Sequence, residues 1–555
     1  MKLHIKRTID AKLSPKQIVD HILKDRKIVD IETFLHTPHP MDILFSSFFD
    51  KHHYDEMFNK TCELLTQIKQ KNQTIIVYTD YDADGITGGA ILWETLHLLG
   101  FKAMPYVPDR KKEGYGFSKI GIDAVKEKYN PSLIISCDHG ISGHEKIKYA
   151  TSLNIPIIIT DHHQKLETDP KAFAIFHTDK LSGSGVAYFF AKALFEHFSS
   201  RNTTYKILNT HFRGDYLALA SIGTVADLVP LTGPSRSIVA HGLLAFKSSR
   251  RVGLSNLLQE AQLAGRDISP YEIGFIIAPR INAFGRLTHA IDALRLLCTT
   301  KSDTAHELAQ LAGATNKKRQ DLVVIAQEQA LKMVDTKQKI IILFKKEWEE
   351  GIIGLIASKM VEKFNRPAIV ITGSGEIAKS SARSISGFDI TGFLRSLKKH
   401  LVDVGGHKAA AGFTIETKNI KKFTKEAEKK ANELLTKDDL VPSISIDLAM
   451  PLANATMHLA RALEVLQPFG IGNPKPTFYS TATVLETKTI GKNKNHLKLL
   501  IKEDTSFPLE VLFFGKAQEH KDLKKGQKIN TVYSLEVNRW NGIEKINGIG
   551  KHIIV

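Results

Sequence analysis

Seven side chains able to hold a cation fall into three short clusters: Asp80, Asp82 and Asp84 in TDYDADG, Asp138 in CDHG, and Asp161, His162 and His163 in TDHH. Each cluster closes a short apolar run: 74–78 (TIIVY), 133–137 (LIISC) and 155–160 (IPIIIT). Runs of that length and composition read as buried parallel strands. In an open parallel sheet the C-terminal strand ends share one rim, where ligands gather. Four or more carboxylates on one rim repel one another and resist ionising together. Divalent cations resolve the conflict; mixed Asp/His donors suit Mn²⁺, and an oxygen-rich set also admits Mg²⁺. Taken singly, each cluster has a plainer reading, because Asp is a favoured turn and N-cap residue. Three clusters in order on successive strand ends are hard to explain by capping, and convergent titratable groups of this kind point to a metal site.

The elements that must position these residues are visible as a change of period. Helical patterns fill the gaps between the runs, over 87–99 before Gly100 and over 121–129 ahead of Pro131. This alternation predicts an α/β domain with a parallel sheet, placed at 56–300 with a helix-rich second half. A proline-free stretch at 302–334 predicts a long connecting helix within 301–337. A smaller α/β domain is expected over 338–442, with a strand from Lys339 (KIIILF), a helix over 353–364, a strand over 368–372 and a lysine-rich helix over 418–437. The last part, 443–555, carries short β-like runs with Gly, Asn and Lys turns and reads as a β-barrel. Residues 1–55 read as a leader without chemistry. The histidine pairs there, His36 with His39 and His52 with His53, lack carboxylates at ligand spacing and read as structural or surface residues.

Bulk properties narrow the class. With 555 residues the chain is too long for one core. Apolar residues at 43% and charged residues at 24% are ordinary for a globular protein. The start, MKLHIKRTIDAKLSPKQ, lacks the apolar run of a signal peptide. The most apolar stretch, 216–231, is interrupted by Asp227 and reads as a buried helix end rather than a membrane span. Cys62, Cys137 and Cys298 form no CxxC pair, which argues against a zinc knuckle or a disulfide framework and fits a reducing, cytoplasmic setting. A net charge of +17 favours polyanion partners, because neutralising phosphates releases condensed counterions.

TDYDADG, CDHG and DHH resemble the first three motifs of the DHH phosphoesterases, and Ala226-Asp227 in IGTVADLVPL resembles the fourth. The resemblance implies two metal ions about 3.5–4 Å apart. It places Asp80 and Asp82 on one, Asp84, His162 and Asp227 on the other, and Asp138 between them. His163 is expected to face the scissile phosphate, and Asp138, Asp161 and His163 form the expected catalytic set. Related phosphatases carry a histidine before the DxD, where this chain offers Tyr78 and Asp80. Histidine ligands must be neutral, so activity is expected to fall in acid.

Further segments resemble the single-strand-specific exonuclease branch of that family. In RKKEGYG, Arg110 and Tyr115 are expected at the substrate, with Tyr115 a stacking surface for a base or part of a plain turn. In PRINAFGR, Arg280, Asn282 and Arg286 offer planar donors to phosphate, a buried ion pair being the alternative for each arginine. Ser381 and Arg383 in SARS, and His407 in GGHKAAAGF, are expected to grip a 5′-terminal phosphate. PFGIGNPKP at 468–476 resembles the entry to a nucleic-acid-binding domain of OB type. Behind it Lys488, Lys492, Lys494, Lys498 and Lys502, with Tyr533 and Trp540, suit a basic groove with stacking platforms. The resemblance implies a 5′→3′ exonuclease on single-stranded DNA that releases 5′-mononucleotides in repair and recombination. Single-strand-binding protein and a RecQ-type helicase are its implied partners, and the enzyme is expected to be a monomer. The alternatives are a phosphodiesterase of short oligonucleotides or cyclic dinucleotides, and a nucleic-acid-binding scaffold with a decayed site.

Overall fold

The structure, a computed structural model, describes residues 1–199, 203–504, 506–540 and 542–555, with residues 203 and 540 described in their backbone alone. It divides into two compact units, one of residues 38–440 and one that joins residues 1–37 to residues 441–555. Among the described residues no helix is long and apolar enough to cross a membrane.

In the larger unit a parallel sheet of five strands runs in the order Lys102–Tyr106, Thr74–Thr79, Leu133–Cys137, Ile157–Asp161, Ala174–His177. Successive side chains of a strand point to opposite faces. Accordingly Ile75, Val77, Leu133, Ile135 and Ile158 enter the main core, while Ile76, Tyr78, Ile134, Ile157 and Ile159 enter a second one behind the sheet. Helices Ala83–Leu98, Gly183–Phe198 and Asp215–Ala226 are apolar nearly all round and buried, as helices wrapped by other helices must be. The last of them is the apolar stretch that stopped at Asp227.

Helix Ser302–Met333 serves two cores in turn. Leu308, Ala309 and Ala312 belong to the first, and Ala326 and Ala330 to a second with Ile341, Trp348, Ile353 and Ile356. The second lobe holds a mixed sheet in the order Leu401–His407, Ala410–Glu416, Ile377–Arg383, Ala368–Thr372, Ile341–Phe344, in which only the last two strands are parallel. SARS therefore lies on a strand. GGHKAAAGF is a hairpin, Gly405 pairing with Gly412 and His407 with Ala410.

The smaller unit changes the reading of the chain's start. Lys2–Ile5 pairs in parallel with Ser443–Ile446, and helix Pro15–Asp25 buries Ile18, Val19, Ile22 and Leu23 in the same core as the barrel residues Phe478, Leu499 and Val511. Residues 1–37 are thus a structural part of the C-terminal unit rather than a leader, and 38–55 pack with the larger unit through Phe45 and Tyr54. Five strands, Phe478–Ile490, His496–Lys502, Leu509–Phe513, Ile543–Ile554 and Lys528–Trp540, close into a barrel where the first pairs with the last. Tyr533 is buried, its hydroxyl 2.9 Å from that of Ser480, so it is a core residue and not a stacking platform. The Trp540 side chain lies outside the described residues. Lys488, Lys492 and Lys494 are exposed, and Lys498 pairs with Glu510.

Candidate metal centre

Strand register sets the site. Thr79 pairs with Cys137, and Cys137 with Thr160. The ladder continues through Asp80 N–H to Cys137 O at 3.1 Å and Asp138 N–H to Thr160 O at 3.0 Å. The three acidic clusters therefore begin at one level of the rim. Asp138 takes a left-handed backbone conformation (φ 68°), where Asp is tolerated better than most residues and where strain gathers at functional sites.

The cation-binding atoms converge. Asp80, Asp82 and Asp138 present ligand atoms within 4.8 Å of one another; so do Asp84, His162 and Asp227, and Asp138, His162 and His163. His162 Nε2 lies 3.1 Å from Asp138 Oδ1, 3.4 Å from Asp227 Oδ2 and 3.9 Å from Asp84 Oδ2. Asp80 Oδ1, Asp138 Oδ1 and His162 Nε2 are buried without a hydrogen-bond partner. Unpartnered polar atoms are rare in interiors and ask for an explanation; three converging ones fit a cation. Burial, then the charges of neighbouring carboxylates, pushes Asp80, Asp82 and Asp138 above the usual carboxylate range. The same causes raise Asp227 to about 8, and burial lowers His162 to about 4. A donor set that repels its own charge yet keeps its imidazole neutral is suited to a divalent ion.

Other oxygens are already committed. Asp84 accepts the N–H groups of Gly183 (2.6 Å) and Ser184 (2.9 Å) at the start of a helix. Asp82 Oδ1 caps its own helix through Asp84 N–H (2.9 Å) and Gly85 N–H (3.1 Å). Asp161, expected among the catalytic residues, is instead a positioning residue. Its Oδ1 accepts from His162 N–H (2.7 Å), His163 N–H (3.2 Å) and His163 Nδ1 (2.8 Å), and its Oδ2 accepts from Ile141 N–H (2.9 Å). Burial opposes charge on His163, but the bond and charge of Asp161 outweigh it and hold His163 at about 9.

A cleft of about 660 Å³ is lined by His162, His163, His177, Asp179, Asp227 and, from the second lobe, His407. The rings of His163 and His407 stack with centroids 5.8 Å apart. Tyr115 donates to Asp138 O at 3.1 Å and lies 3.0 Å from His163 Nε2, so its hydroxyl is at the centre while its ring stays exposed. Arg110 stacks on Tyr81 at 5.0 Å. Arg286 donates to Gly351 O at 3.0 Å, and Arg383 to Ser381 Oγ at 2.9 Å. Burial lowers Arg286 to about 9, helped by the positive charges of Arg110, Arg319 and Arg383. The guanidinium groups of Arg110, Arg319 and Arg383 thus lie near enough to Arg286 for their charges to act on it. Arg280 pairs with Glu260 at 2.6 Å, and Asn282 Oδ1 accepts Ala83 N–H at 2.8 Å, holding the helix that follows the DxD.

Sequence reasoning missed the residues that let these groups approach. A Cβ on Gly183 would overlap the Asp138 carboxylate. One on Gly354 would meet Ser381 Oγ and Arg383 Nη2 at 3.0 Å, so the N-terminus of helix Ile353–Phe364, favourable to anions, sits against the arginine cluster. Leu181–Gly185 (LSGSG) was the available signal for the first. Arg319, in the middle of the connecting helix, carried none.

Three family models match the chain: the DHH family N-terminal domain over residues 74–224, the DHHA1 domain over 337–433 and the RecJ OB domain over 446–552. The single-stranded-DNA-specific exonuclease RecJ of Bacillus subtilis is 34% identical over 92% of this chain, which spans 64% of that relative's length. RecJ of Thermus thermophilus is 31% identical over 86% of this chain and 68% of its own, and RecJ of Escherichia coli is 30% identical over 87% and 88%. The crystal structure of Thermus thermophilus RecJ in complex with Mn²⁺ superposes with a TM-score of 0.82, at 26% identity, over all of this chain and 80% of that one. Sharing its three domains and its sequence with these proteins, the chain belongs to the RecJ family of single-stranded-DNA-specific exonucleases.

Proposed function

We propose that the chain is a metal-dependent exonuclease that degrades single-stranded DNA from its 5′ end and releases 5′-mononucleotides. The carrying observation is the trio of unpartnered buried atoms, Asp80 Oδ1, Asp138 Oδ1 and His162 Nε2, the last of them on the wall of the cleft that His407 also lines. Asp80, Asp82 and Asp138 would hold one cation and Asp84, His162 and Asp227 the other, with Asp138 shared. Solved RecJ structures carry Mn²⁺ in one case and Mg²⁺ in another, and either ion suits this donor set. Two such ions, when bound, supply an acidified water and charge neutralisation about the phosphorus.

The chain's own residues do the rest. His163, held cationic by Asp161, is placed to neutralise charge on the phosphate that lies against the carboxylates. Arg110, Arg286 and Arg383, with Ser381 and the helix N-terminus at Gly354, would grip a terminal phosphate, and His407 closes the same cleft. A grip on the 5′ phosphate next to the metal centre gives 5′→3′ polarity, since the bond presented for cleavage is then the first internucleotide bond. The barrel unit, with exposed Lys488, Lys492 and Lys494, would bind the strand further along. The proposal extends to a monomer working in the cytoplasm in repair and recombination, with single-strand-binding protein and a RecQ-type helicase as partners. The RecJ relatives and the OB domain support single-stranded DNA as the substrate.

The test is digestion of single-stranded DNA labelled at either end, with Mn²⁺, beside Asp138→Ala and a blunt duplex. Mononucleotides released from the 5′ end of the single strand alone, and lost in the variant, are expected. Digestion of only very short oligonucleotides would assign the chain to oligonucleotide phosphodiesterases, and binding without metal-dependent turnover would leave a scaffold.

A further inference from the structure

The Asp109–Gly116 segment carries Arg110 and Tyr115 to the site and contains two glycines at positive φ, Gly114 (80°) and Gly116 (69°). Such a segment does not hold its shape by itself. Its tie to the sheet is Glu113. Glu113 Oε2 accepts from Tyr78 OH (3.2 Å), Tyr106 OH (3.1 Å) and Ser118 Oγ (3.4 Å), and Oε1 accepts from Asp109 N–H (2.8 Å). The Glu113 N–H also donates to Asp109 O at 2.8 Å.

Tyr78 and Tyr106 are register partners on adjacent strands, so one carboxylate joins two strands to the segment's start and to the cap of the next helix. Tyr78 is buried against Tyr106, Phe117 and His139, with ring centroids 4.7, 5.0 and 5.3 Å away. A buried phenol hydroxyl needs an acceptor, and Glu113 is that acceptor. At its far side the segment touches functional groups: Tyr115 OH on Asp138 O, Arg110 over Tyr81, and Lys111 3.4 Å from Glu349 of the second lobe.

Resting on the function proposed above, we infer that Glu113 is a positioning residue that fixes Arg110 and Tyr115 for the strand's phosphorylated end, with Tyr78 as its hydrogen-bonding counterpart on the sheet. Glu113 bonds to Tyr78, Tyr106, Ser118 and Asp109 and belongs to none of the groups of converging metal-binding atoms. Its removal should therefore loosen substrate binding and leave cation binding intact.

The experiment compares Glu113→Ala, Glu113→Gln and Tyr78→Phe with the unmodified protein on 5′-phosphorylated and 5′-hydroxyl single strands. Glutamine keeps an oxygen for Asp109 N–H and presents its amide to hydroxyls that can turn to accept. Glu113→Ala should raise KM for the phosphorylated strand about tenfold or more, since small misplacements far from the chemistry carry effects of that order. It should shrink the preference for 5′-phosphate over 5′-hydroxyl while kcat changes less than about threefold, a loss of uniform binding. Glu113→Gln should restore KM in part, since its amide leaves the Tyr78 hydroxyl proton without an acceptor, Tyr78→Phe should shift it about two- to threefold in the same direction, and Mn²⁺ affinity by calorimetry should be unchanged in all three. Equal losses on both strands, or a lower Tm with KM unchanged, would overturn the inference. Should Glu113→Ala fail to fold, Tyr78→Phe decides by the same readouts. Should the unmodified protein not digest single strands, the function proposed above falls. Anisotropy of a labelled 5′-phosphorylated oligonucleotide on the metal-free variants would then still test Glu113.

Discussion

Asp138 shows how much chemistry one residue can concentrate: a left-handed backbone, near-total burial and an oxygen without a partner. Such a group lowers stability and is retained for function. Asp138→Asn is therefore expected to abolish nuclease activity, by roughly 10³-fold or more, since it stands in two of the three groups of converging cation-binding atoms. It should also raise the Tm of the metal-free protein near neutral pH, since burial and the charges of Asp84 and Asp82 make the carboxylate take up a proton on folding, which an amide does not need. A calorimetric scan in EDTA giving a lower Tm would refute the second half. The pH dependence has a definite sign. The folded pKa of Asp227, at about 8, exceeds its unfolded value of about 4. The metal-free folded chain thus keeps a proton that the unfolded chain releases, and this contribution is full below pH ~4 and lost as pH rises towards ~8. His163, at about 9, works in the same direction, its contribution being lost as pH rises through ~9. The Tm gained on adding Mn²⁺ should accordingly grow between about pH 6 and 8; a gain independent of pH would contradict the assignment. At this scale the candidate donors were legible, because type and spacing name the atoms able to bind a cation. Which oxygens are already taken was not: the acceptors of Asp161 are filled by local N–H groups, and Arg280 is claimed by Glu260 far along the chain.

Elements explain why the donors meet. Strands ending in Thr79, Cys137 and Asp161 deliver the clusters at one level, and helix Gly183–Phe198 brings its N-terminal amides to Asp84. That helix can come so close because residue 183 has no side chain. Gly183→Ala should keep the fold, at about 1–3 kcal/mol of stability, but displace the Asp138 carboxylate and weaken Mn²⁺ binding. Calorimetric titration showing unchanged affinity would mean the centre has slack that the packing does not suggest. Long or wholly buried elements were readable from sequence: Leu133–Cys137, Ile353–Phe364 and Ala368–Thr372 begin and end where expected, and Ser302–Met333 within a residue. The parallel strands Lys102–Tyr106 and Ala174–His177 were missed, since KAMPY holds a proline and an exposed lysine and AIFH is four residues long. The antiparallel strands of the second lobe were missed for a different reason. Ile377–Arg383 (IAKSSAR) is largely polar and Leu401–His407 (LVDVGGH) holds two glycines, so their pairing is decided by neighbouring strands and not by their own pattern.

At the scale of the whole chain, the domain order could be read along the sequence but the partnership of its two ends could not, because a parallel strand pair between Lys2–Ile5 and Ser443–Ile446 is invisible to local periodicity. The link is specific. Arg26 donates to Asn473 Oδ1 at 2.5 Å and to Asp447 Oδ2 at 3.3 Å, Lys6 reaches Asp447 Oδ1 at 3.0 Å, and Asp447 also accepts Thr477 N–H at 3.0 Å. Asn473 in turn donates to the carbonyls of Leu466 and Pro468, so the turn-rich PFGIGNPKP segment is held by a residue from the chain's start. Removing Arg26 leaves Asp447, 4% exposed, as an under-compensated buried carboxylate, and breaking such a pair costs about 3–5 kcal/mol. Arg26→Ala should therefore melt the barrel unit at lower temperature than the rest of the chain, visible as a split calorimetric transition. Deleting residues 1–37 should go further, exposing the barrel core where Ile18, Ile22 and Leu23 had packed. Residues 441–555 expressed alone should then lack dispersed amide resonances, which should return when 1–37 is fused through a flexible linker. A well-folded 441–555 fragment would instead show that the barrel is autonomous and that the N-terminal segment merely docks on it. In the first outcome the barrel unit depends on both chain ends, and under the function proposed above a truncation at either end should act on single-strand affinity while leaving the metal centre, carried wholly by residues 38–440, intact.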